Sequence, residues 1–541
     1  MSVEFFPNAG NGPYKVLRGA ARHLVERLHE SCMDPRAMQE EQLGRILSQV
    51  SGSDFGREHK LGPGDSLELF REKVPIRTGE QFEPWFSRIA QGGQGVLTKE
   101  PVVSMLETSG TTGPAKLLPV TRTWAKSVSE AQTLWRLALV RDSEAMTRGK
   151  VLTVVSPGRH GALPSGLSYG SNTGRMQRAQ PWLVRIRYPV PYEVHAIEQS
   201  EARIYTLLRF ALQSPVTSIT TANPSTLLLL CRKLQEYRQE LAADLEDGTL
   251  QRGPADLLEP EERRRWARCM LRRPAPDSWK PAEIWNLERL QCWTGGAAPF
   301  FLRLLPEAMG ADLPVRDVGI TASEGFFAIP MQDGQAGALT WLGGHVLEFV
   351  DESGQALWAW QLEVGRSYRL VITTSAGLVR YDMDDVVEVT GHAGGVPLLR
   401  FMRRGRNVLN MTGEKLTENQ VVRAARAVFS EGNVSGFTAG HHLAEVPHIR
   451  FAVEGLGETG LRGVAEALDK ALCESNIEYA QKREGGRLGP VEVVLLPEGT
   501  YARYRQARAS EGAGATQVKD PVIALDEKAW DTLFRAAGSE D

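Results

Sequence analysis

The chain has 541 residues, more than a single hydrophobic core usually supports, so its length predicts at least two domains. Hydrophobic residues make up 42% and charged residues 24%, a composition typical of soluble globular proteins. The formal net charge of −3 gives no general attraction to nucleic acid or to acidic membranes, so neither is expected as a partner. The five cysteines are scattered and form no CxxC pair, which argues against a disulfide framework and against a structural zinc site.

Targeting signals are not recognisable in the sequence. The first residues, MSVEFFPNAGNGPYKVLRG, lack the basic and apolar regions of a signal peptide, and no window approaches eighteen uninterrupted apolar residues. We therefore expect a cytoplasmic protein. The sequence leaves the oligomeric state open, a monomer included.

Hydrophobic periodicity predicts alternating helices and strands over about the first 340 residues. The predicted helices lie at about 15–50, 122–140 and 224–241, the last with Ser225 as a candidate cap, and the predicted strands at 99–106, 150–156 and 218–220. Such alternation is typical of parallel α/β layers. The charged segment 255–275 also has helical spacing, and a solvated helix face is favoured there over a basic patch.

The pattern changes beyond residue 340. Strands of a more antiparallel character are predicted at 345–351, 367–375 and 386–391. A basic turn at Arg404–Arg406 then leads into mixed strand and helix patterns, over a length sufficient for a small α+β domain. We therefore predict an N-terminal domain of residues 1–403 and a C-terminal domain of residues 404–541.

The stretch TSGTTGPAK (108–116) concentrates hydroxyls, glycines and one lysine directly after a predicted strand. Its glycines let the backbone turn and bring N–H groups close to an anion, and Lys116 can add a positive charge. The spacing differs from the Walker pattern, in which four residues separate the first glycine from Gly-Lys-Ser/Thr, so an ordinary P-loop is disfavoured. On its own, the stretch is equally compatible with a phosphate cradle and with a structural turn.

Three further segments carry reactive or binding side chains, each with a plainer alternative. Glu324 in GITASEG follows a predicted strand, where a carboxylate could hold Mg²⁺ and nucleotide phosphates, although a lone Glu at a strand end is commonly solvated. One aspartate of RYDMDDVV (380–387) could accept hydrogen bonds from both hydroxyls of a ribose, or the cluster could mark a turn. Lys519, in the glycine-rich segment 512–521, could deliver charge to a reacting group or simply lie in an exposed loop.

The order of these motifs resembles that of the adenylate-forming (acyl-activating) enzymes. Within that superfamily, the chain is most similar to the GH3 family of acyl-acid amido synthetases, known from plant hormone conjugation and also from bacteria. The resemblance runs from SDFGREHKLG (53–62) to GATQVKDP (514–521), and we expect a bacterial-type member. It implies an α/β fold in which a large multi-layer N-terminal adenylate-forming domain includes an antiparallel β portion, followed by a smaller, mobile C-terminal α+β domain.

The resemblance also implies roles for individual residues. The nucleotide-binding set is Ser109, Gly110, Thr111, Thr112, Gly113, Gly295, Gly296, Ile320, Thr321, Ser323, Asp385, Arg404 and Arg406. Within it, residues 109–112, together with Lys116, face the triphosphate, the glycine pair lies beside the adenine, and Asp385 binds the ribose. The implied catalytic residues are Lys116, Glu324 and Lys519, with Glu324 as the ligand of Mg²⁺.

Two positions depart from the superfamily pattern. An aromatic residue often precedes the motif glutamate by four positions and stacks on the adenine, whereas this chain has Ile320, so an aliphatic contact must serve. A glycine usually precedes the ribose-binding aspartate, whereas this chain has Asp384 before Asp385. Asp385 is favoured for the ribose by its position.

The implied reaction has two halves and uses ATP and Mg²⁺. A carboxylic acid attacks the α-phosphorus of ATP to give an acyl-adenylate and pyrophosphate, and an amine, expected to be an amino acid, then displaces AMP to give an amide. The segment 158–176 and the helix 224–241 are expected to line the acid pocket, where Arg159, His160 or Arg175 could receive a carboxylate or serve surface or core roles. Two alternatives stay open: an acyl-CoA ligase with a thiol acceptor, and a non-catalytic nucleotide- or acyl-binding protein that retains the fold.

Overall fold

The computed structural model describes residues 5–108, 116–254, 257, 279–335, 337–405, 408–429, 434–457, 461–504, 520–525 and 527–538. They form two compact units, one ending at Arg403 and the other beginning at Arg404. The predicted segment 255–275 lies outside the described residues, apart from residue 257. Within the described ranges, no helix is long and apolar enough to cross a membrane.

The first unit contains many helices, most of them short. They are α1 (Gly12–Ala20), α2 (Arg22–Met33), α3 (Pro35–Val50), α4 (Asp54–Glu58), α5 (Leu67–Lys73), α6 (Gly79–Ala90), α7 (Arg122–Asp142), α8 (Ala145–Arg148), α9 (Asn172–Arg178), α10 (Trp182–Arg185), α11 (Tyr192–His195), α12 (Ser200–Ala211), α13 (Pro224–Glu236), α14 (Arg238–Asp247), α15 (Pro281–Ile284), α16 (Ala298–Leu302) and α17 (Leu305–Met309).

Two helix predictions need correction in their bounds. The helical region predicted over 15–50 is three helices, because Pro35 begins α3 and the Asp34 side chain caps it, accepting a hydrogen bond from the N–H of Ala37 at 2.9 Å. The helix predicted over 224–241 ends at Glu236. Its cap residue is Asn223 rather than Ser225, because Pro224 occupies the first helical position.

The strands up to residue 404 build three sheets. They are β1 (Ser104–Thr108), β2 (Lys116–Val120), β3 (Lys150–Thr153), β4 (Gly161–Ala162), β5 (Ser168–Gly170), β6 (Val216–Thr220), β7 (Arg289–Gln291), β8 (Val315–Arg316), β9 (Ile320–Ala322), β10 (Gly325–Ile329), β11 (Ala338–Thr340), β12 (Val346–Val350), β13 (Ala356–Trp358), β14 (Ser367–Thr373), β15 (Tyr381–Ala393) and β16 (Val396–Arg404).

The three sheets differ in strand direction. One is fully parallel, in the order β3-β6-β7-β8. The largest has eight strands in the order β13-β12-β14-β15-β16-β11-β10-β9, with antiparallel neighbours at the described pairings. The third, β2-β1-β5-β4, carries the β1–β2 hairpin at one edge. The predicted α/β class with an antiparallel β portion is therefore confirmed.

The second unit is an α+β assembly with its own apolar core. Its elements are β17 (Val408–Leu409), β18 (Leu416–Thr417), α18 (Glu418–Val428), β19 (Gly436–His442), β20 (His448–Glu454), α19 (Leu461–Ser475), α20 (Ile477–Glu484), β21 (Glu492–Leu496), β22 (Ile523–Ala524) and α21 (Glu527–Ala537). The sheet order is β21-β20-β19-β22. Buried residues of β19, β20 and the helices α18 to α20, such as Phe451, Val421 and Leu472, form the core.

Candidate functional site

The β1–β2 hairpin brackets the hydroxyl- and glycine-rich motif. Thr108 at the end of β1 lies opposite Lys116 at the start of β2. Residues 109–115, which include the predicted Ser109, Gly110, Thr111, Thr112 and Gly113, lie outside the described residues. After β2, the Thr121 hydroxyl accepts a hydrogen bond from the N–H of Trp124 at 3.2 Å and caps α7. The motif is therefore held at both ends by a strand pair that runs directly into a long helix.

Lys116 approaches the start of β15 at a glycine. A Cβ atom built on Gly79 would lie 2.6 Å from Nζ of Lys116 and 2.7 Å from the hydroxyl of Tyr381. Gly79 is the first residue of α6, so the absence of a side chain lets both groups approach this helix end. The structure thus brings the lysine of the first motif to the strand that carries the aspartate cluster.

Glu324 lies in the two-residue turn between β9 and β10. Gly325 pairs with Ala322 across this hairpin, and the backbone carbonyl of Glu324 accepts a hydrogen bond from the indole N–H of Trp124 at 2.8 Å. Glu324 is only 5% exposed, yet its carboxylate makes no hydrogen bond or ion pair with any described residue. It does follow a strand, as predicted, but that strand belongs to the eight-stranded sheet and not to the parallel one.

The neighbours of Glu324 on this hairpin are the other predicted residues of its motif. Ile320 begins β9 and is 8% exposed, while the Thr321 hydroxyl donates to the carbonyl of Gly325 at 3.3 Å. Ser323 shares the turn with Glu324 and is partly exposed. The position where relatives often have an aromatic ring is therefore a buried strand residue here.

The carboxyl edge of the parallel sheet is organised by Asp317, which sequence reasoning missed. Its carboxylate accepts hydrogen bonds from the N–H of Thr294 at 2.8 Å, from the Thr294 hydroxyl, and from the N–H of Gly319 at 2.6 Å. Burial raises the pKa of Asp317, and these hydrogen bonds oppose that rise. The signal available in the sequence was an aspartate directly after a buried strand, in VRDVG. Asp317 thereby ties the segment after β7 to the segment after β8.

The glycine pair that follows β7 packs backbone to backbone against β16. A Cβ atom on Gly295 would lie 2.6 Å from the carbonyl oxygen of Phe401, and the N–H of Gly296 donates to the same oxygen at 3.3 Å. Gly296 also has a φ of +63°, in the left-handed region that favours glycine. Both glycines therefore have a packing reason in addition to the nucleotide role expected of them.

The aspartate cluster forms an irregularity within β15 and not a turn between elements. The β14–β15 register shifts near it, and Asp384 has a φ of +57°. The Asp384 N–H donates to the Asp382 carboxylate at 2.9 Å, and that carboxylate also pairs with Arg369 at 3.1 Å. Burial raises the pKa of Asp382. Asp385, the predicted ribose ligand, is only 6% exposed.

Arg175 is the one of three candidate carboxylate receptors that lies beside the Glu324 hairpin. Its guanidinium sits over the ring of Trp124 at 5.1 Å and donates to Asn172 Oδ1 at 3.1 Å. His160 forms a hydrogen bond with Glu107 instead, and its Nδ1 lies 2.5 Å from a carboxylate oxygen of that residue. Arg159 is exposed.

The remaining predicted residues lie at or beyond the end of β16. Arg404 is the last residue of that strand. Arg406 and Lys519 lie outside the described residues.

The chain matches three consecutive domains of one family. The model of the GH3 family N-terminal domain matches residues 24–315, that of the GH3 family central domain matches 329–404, and that of the GH3 family C-terminal domain matches 417–528. Among curated relatives, the indole-3-acetic acid-amido synthetase GH3.8 of Oryza sativa subsp. indica is 28% identical, over 92% of this chain and 90% of the relative. The jasmonoyl-L-amino acid synthetase JAR4 of Nicotiana attenuata is 24% identical, over 92% of each chain.

Solved structures share the fold over nearly the whole length. The GH3.15 acyl acid amido synthetase has a TM-score of 0.64 at 19% identity, covering 95% of this chain and 96% of that one. A 2-hydroxyisobutyryl-CoA ligase in complex with 2-HIB-AMP and CoA has a TM-score of 0.54 at 16% identity, covering 93% and 91%. The fold is thus that of the adenylate-forming enzymes. Because the three domain matches together span most of its length, the chain belongs to the GH3 family, as its motifs predicted.

Proposed function

We propose that the protein activates a carboxylic acid with ATP and transfers the acyl group to an amine, an amino acid in the simplest case, to form an amide. The observation that carries this proposal is the nearly buried Glu324 carboxylate without a partner among the described residues. A buried charge of this kind is unfavourable unless a counter-ion accompanies it, and a Mg²⁺–nucleotide complex supplies one. The names of the relatives, amido synthetases of indole-3-acetic acid and jasmonoyl-amino acid synthetases, support the same chemistry.

In the first half-reaction, a carboxylate oxygen of the acid attacks the α-phosphorus of ATP and pyrophosphate leaves. We assign the phosphates to Ser109–Gly113 and Lys116, the adenine to Gly295, Gly296 and Ile320, and the ribose to Asp385. Bound at Glu324, Mg²⁺ would offset the charge of the phosphates. The part played by the chain is positional and electrostatic, since Trp124 fixes the Glu324 turn through a 2.8 Å hydrogen bond.

In the second half-reaction, the amine nitrogen attacks the acyl carbon of the adenylate. The bond from that carbon to the phosphate oxygen breaks, AMP leaves with the electron pair, and the amine loses a proton. We assign the residues from 404 onward to a mobile domain that brings Lys519 to the first half-reaction and turns about Arg404–Arg406. The proposal also includes a cytoplasmic location, where ATP and amino acids are available.

The test is ATP–pyrophosphate exchange over a panel of carboxylic acids, with amino acids or CoA then added to the active combinations. Acid-dependent exchange followed by amide formation is the expected result. Exchange followed only by thioester formation would instead identify an acyl-CoA ligase, a class whose fold this chain shares. Absence of exchange with every acid would favour a binding protein.

A further inference from the structure

Arg175 holds a positive charge that no carboxylate among the described residues balances. Within the described part of the chain, its Nε is buried and has no hydrogen-bond partner, and no carboxylate pairs with the guanidinium. The surrounding sequence supplies none, because there is no Asp or Glu between Glu144 and Glu193. Desolvation lowers the pKa of Arg175 to about 10, so the group is still charged at neutral pH.

The position of Arg175 is fixed by close backbone packing. It lies in α9, and a Cβ atom on Gly174 would lie 2.3 Å from the carbonyl oxygen of Ser156 and 2.4 Å from the nitrogen of Gly158. The backbone of 156–158 thus presses directly on the start of α9. The Trp124 ring and the Asn172 side chain then hold the guanidinium at one place.

The same two side chains connect Arg175 to the Glu324 hairpin. The Asn172 amide donates to the carbonyl of Ala322 at 3.3 Å, and the Trp124 indole donates to the carbonyl of Glu324 at 2.8 Å. A half-buried cation and a nearly buried carboxylate therefore flank one hairpin without pairing with each other. With Glu324 assigned to Mg²⁺, the arrangement leaves the charge of Arg175 for an anionic group of a ligand.

We propose that Arg175 is a binding site for a carboxylate group of one of the two substrates, formed by its guanidinium beside the Glu324 hairpin. The proposal rests on the proposed function, which supplies two sources: the acid to be activated and the carboxylate of an amino-acid acceptor. Arginine suits either source because its planar group can bind both oxygens of a carboxylate. Pairing with the ligand would also relieve the desolvation of the cation.

The test compares Arg175→Met and Arg175→Lys with a control on the same helix. Arg178→Met is the control, because Arg178 is exposed and lies over Tyr192 instead of Trp124. In pyrophosphate exchange, Arg175→Met is expected to raise the KM of the acid at least tenfold if the acid is the ligand. In amide formation, it is expected to raise the KM of an amino acid at least tenfold, but not that of the amino acid amide, if the acceptor is the ligand. Arg175→Lys should raise the same KM by a smaller factor than Arg175→Met does.

Stability separates binding from a structural role. Because Arg175 is desolvated and pairs with no carboxylate that the structure describes, Arg175→Met is expected to keep or raise Tm. A lowered Tm with a fall in kcat in both arms would show that Arg175 is structural, and unchanged KM values in both arms would equally overturn the proposal.

Failure of the proposed function has a different signature. If the wild-type protein shows no exchange with any acid, the same acids and amino acids are titrated against it by thermal shift. A stabilisation lost in Arg175→Met but kept in Arg178→Met would then support the carboxylate site alone, and its absence would overturn it.

Discussion

Glu324 and His441 illustrate how burial decides what a single ionisable side chain does. Glu324 is a nearly buried carboxylate without a partner among the described residues, whereas His441 is half-buried with its Nε2 accepting the N–H of Asn410 at 2.8 Å. The Glu324 carboxylate thus lacks a counter-ion among the described residues, which is typical of a binding group. His441, by contrast, is satisfied as a neutral ring by this hydrogen bond, which is typical of a structural residue.

Glu324→Gln should separate activity from stability. Removal of the charge is expected to lower the rate of Mg²⁺-dependent pyrophosphate exchange about 100-fold, the usual scale for losing one electrostatic group at a reacting phosphate. It should leave Tm unchanged or raised, because a desolvated charge disappears. Glu352→Gln, at an exposed turn, is the matched control and should keep full exchange. A rate equal to the wild type would remove Glu324 from the mechanism.

His441 should contribute to acid sensitivity. Burial lowers the pKa of His441 from 6.5 to about 4. Between pH 6.5 and pH 4, this histidine is therefore protonated in the unfolded chain and neutral in the folded chain. Stability is therefore lost as the pH falls from 6.5 toward 4, by up to about 3 kcal/mol for this group. His441→Gln keeps an acceptor for Asn410 and should flatten this part of the dependence in urea unfolding at pH 7 to 4.5. Exposed His23→Gln should leave it unchanged, and an equal effect of both would contradict the assignment.

At the scale of elements, close backbone contacts decide where the sheets meet. Gly295 and Gly296 allow the segment after β7 to lie on the carbonyl of Phe401 in β16, and Asp317 ties that segment to the one after β8. These contacts join the parallel sheet to the eight-stranded sheet close to the Glu324 hairpin. A sequence pattern of two glycines indicates a close approach, but it does not say to what.

Gly295→Ala tests this junction. The new methyl group would lie 2.6 Å from a backbone oxygen, which no side-chain rotation relieves, so the free energy of unfolding should fall by about 1–3 kcal/mol. Gly19→Ala is the control, since nothing lies within 4 Å of a Cβ there and α1 should gain up to about 1 kcal/mol. Urea unfolding measures both. If Gly295→Ala proves as stable as the wild type, the close contact is not maintained in solution.

Some secondary-structure elements could be predicted from the sequence, and others could not. The helix predicted over 122–140 is observed as α7, Arg122–Asp142, because it has a strong local pattern and a cap at Thr121. The strand predicted over 99–106 overlaps β1, Ser104–Thr108, whereas its partner β2 was not predicted. The placement of Glu324 in an antiparallel hairpin was not predictable. The strand before Glu324, β9, has only three residues and begins four positions after β8, which belongs to the parallel sheet. Only its pairing with β10 shows that β9 belongs to the eight-stranded sheet.

At the scale of the whole molecule, each compact unit has a separate apolar core. Leu472 is fully buried in the core of the second unit, and Leu47 is fully buried in that of the first. Separate cores favour separate unfolding transitions.

Calorimetry of the full chain should show two unfolding transitions, one for each unit. Leu472→Ala is expected to lower one transition, with a loss of about 2–5 kcal/mol, and Leu47→Ala to lower the other. A single transition that both substitutions lower equally would mean that the units unfold as one.

The sequence by itself determined the family, the order of the motifs and the residue types that carry the chemistry. These features depend on short stretches of neighbouring residues, such as the glycine- and hydroxyl-rich motif or the periodicity of a helix. Tertiary structure alone decided which of these residues meet. Trp124 reaches the carbonyl of Glu324 across 200 positions, and it also lies under the Arg175 guanidinium, which pairs with no carboxylate in the described part of the chain. Such contacts depend on how helices and sheets pack, and burial then decides which charges remain available to a ligand.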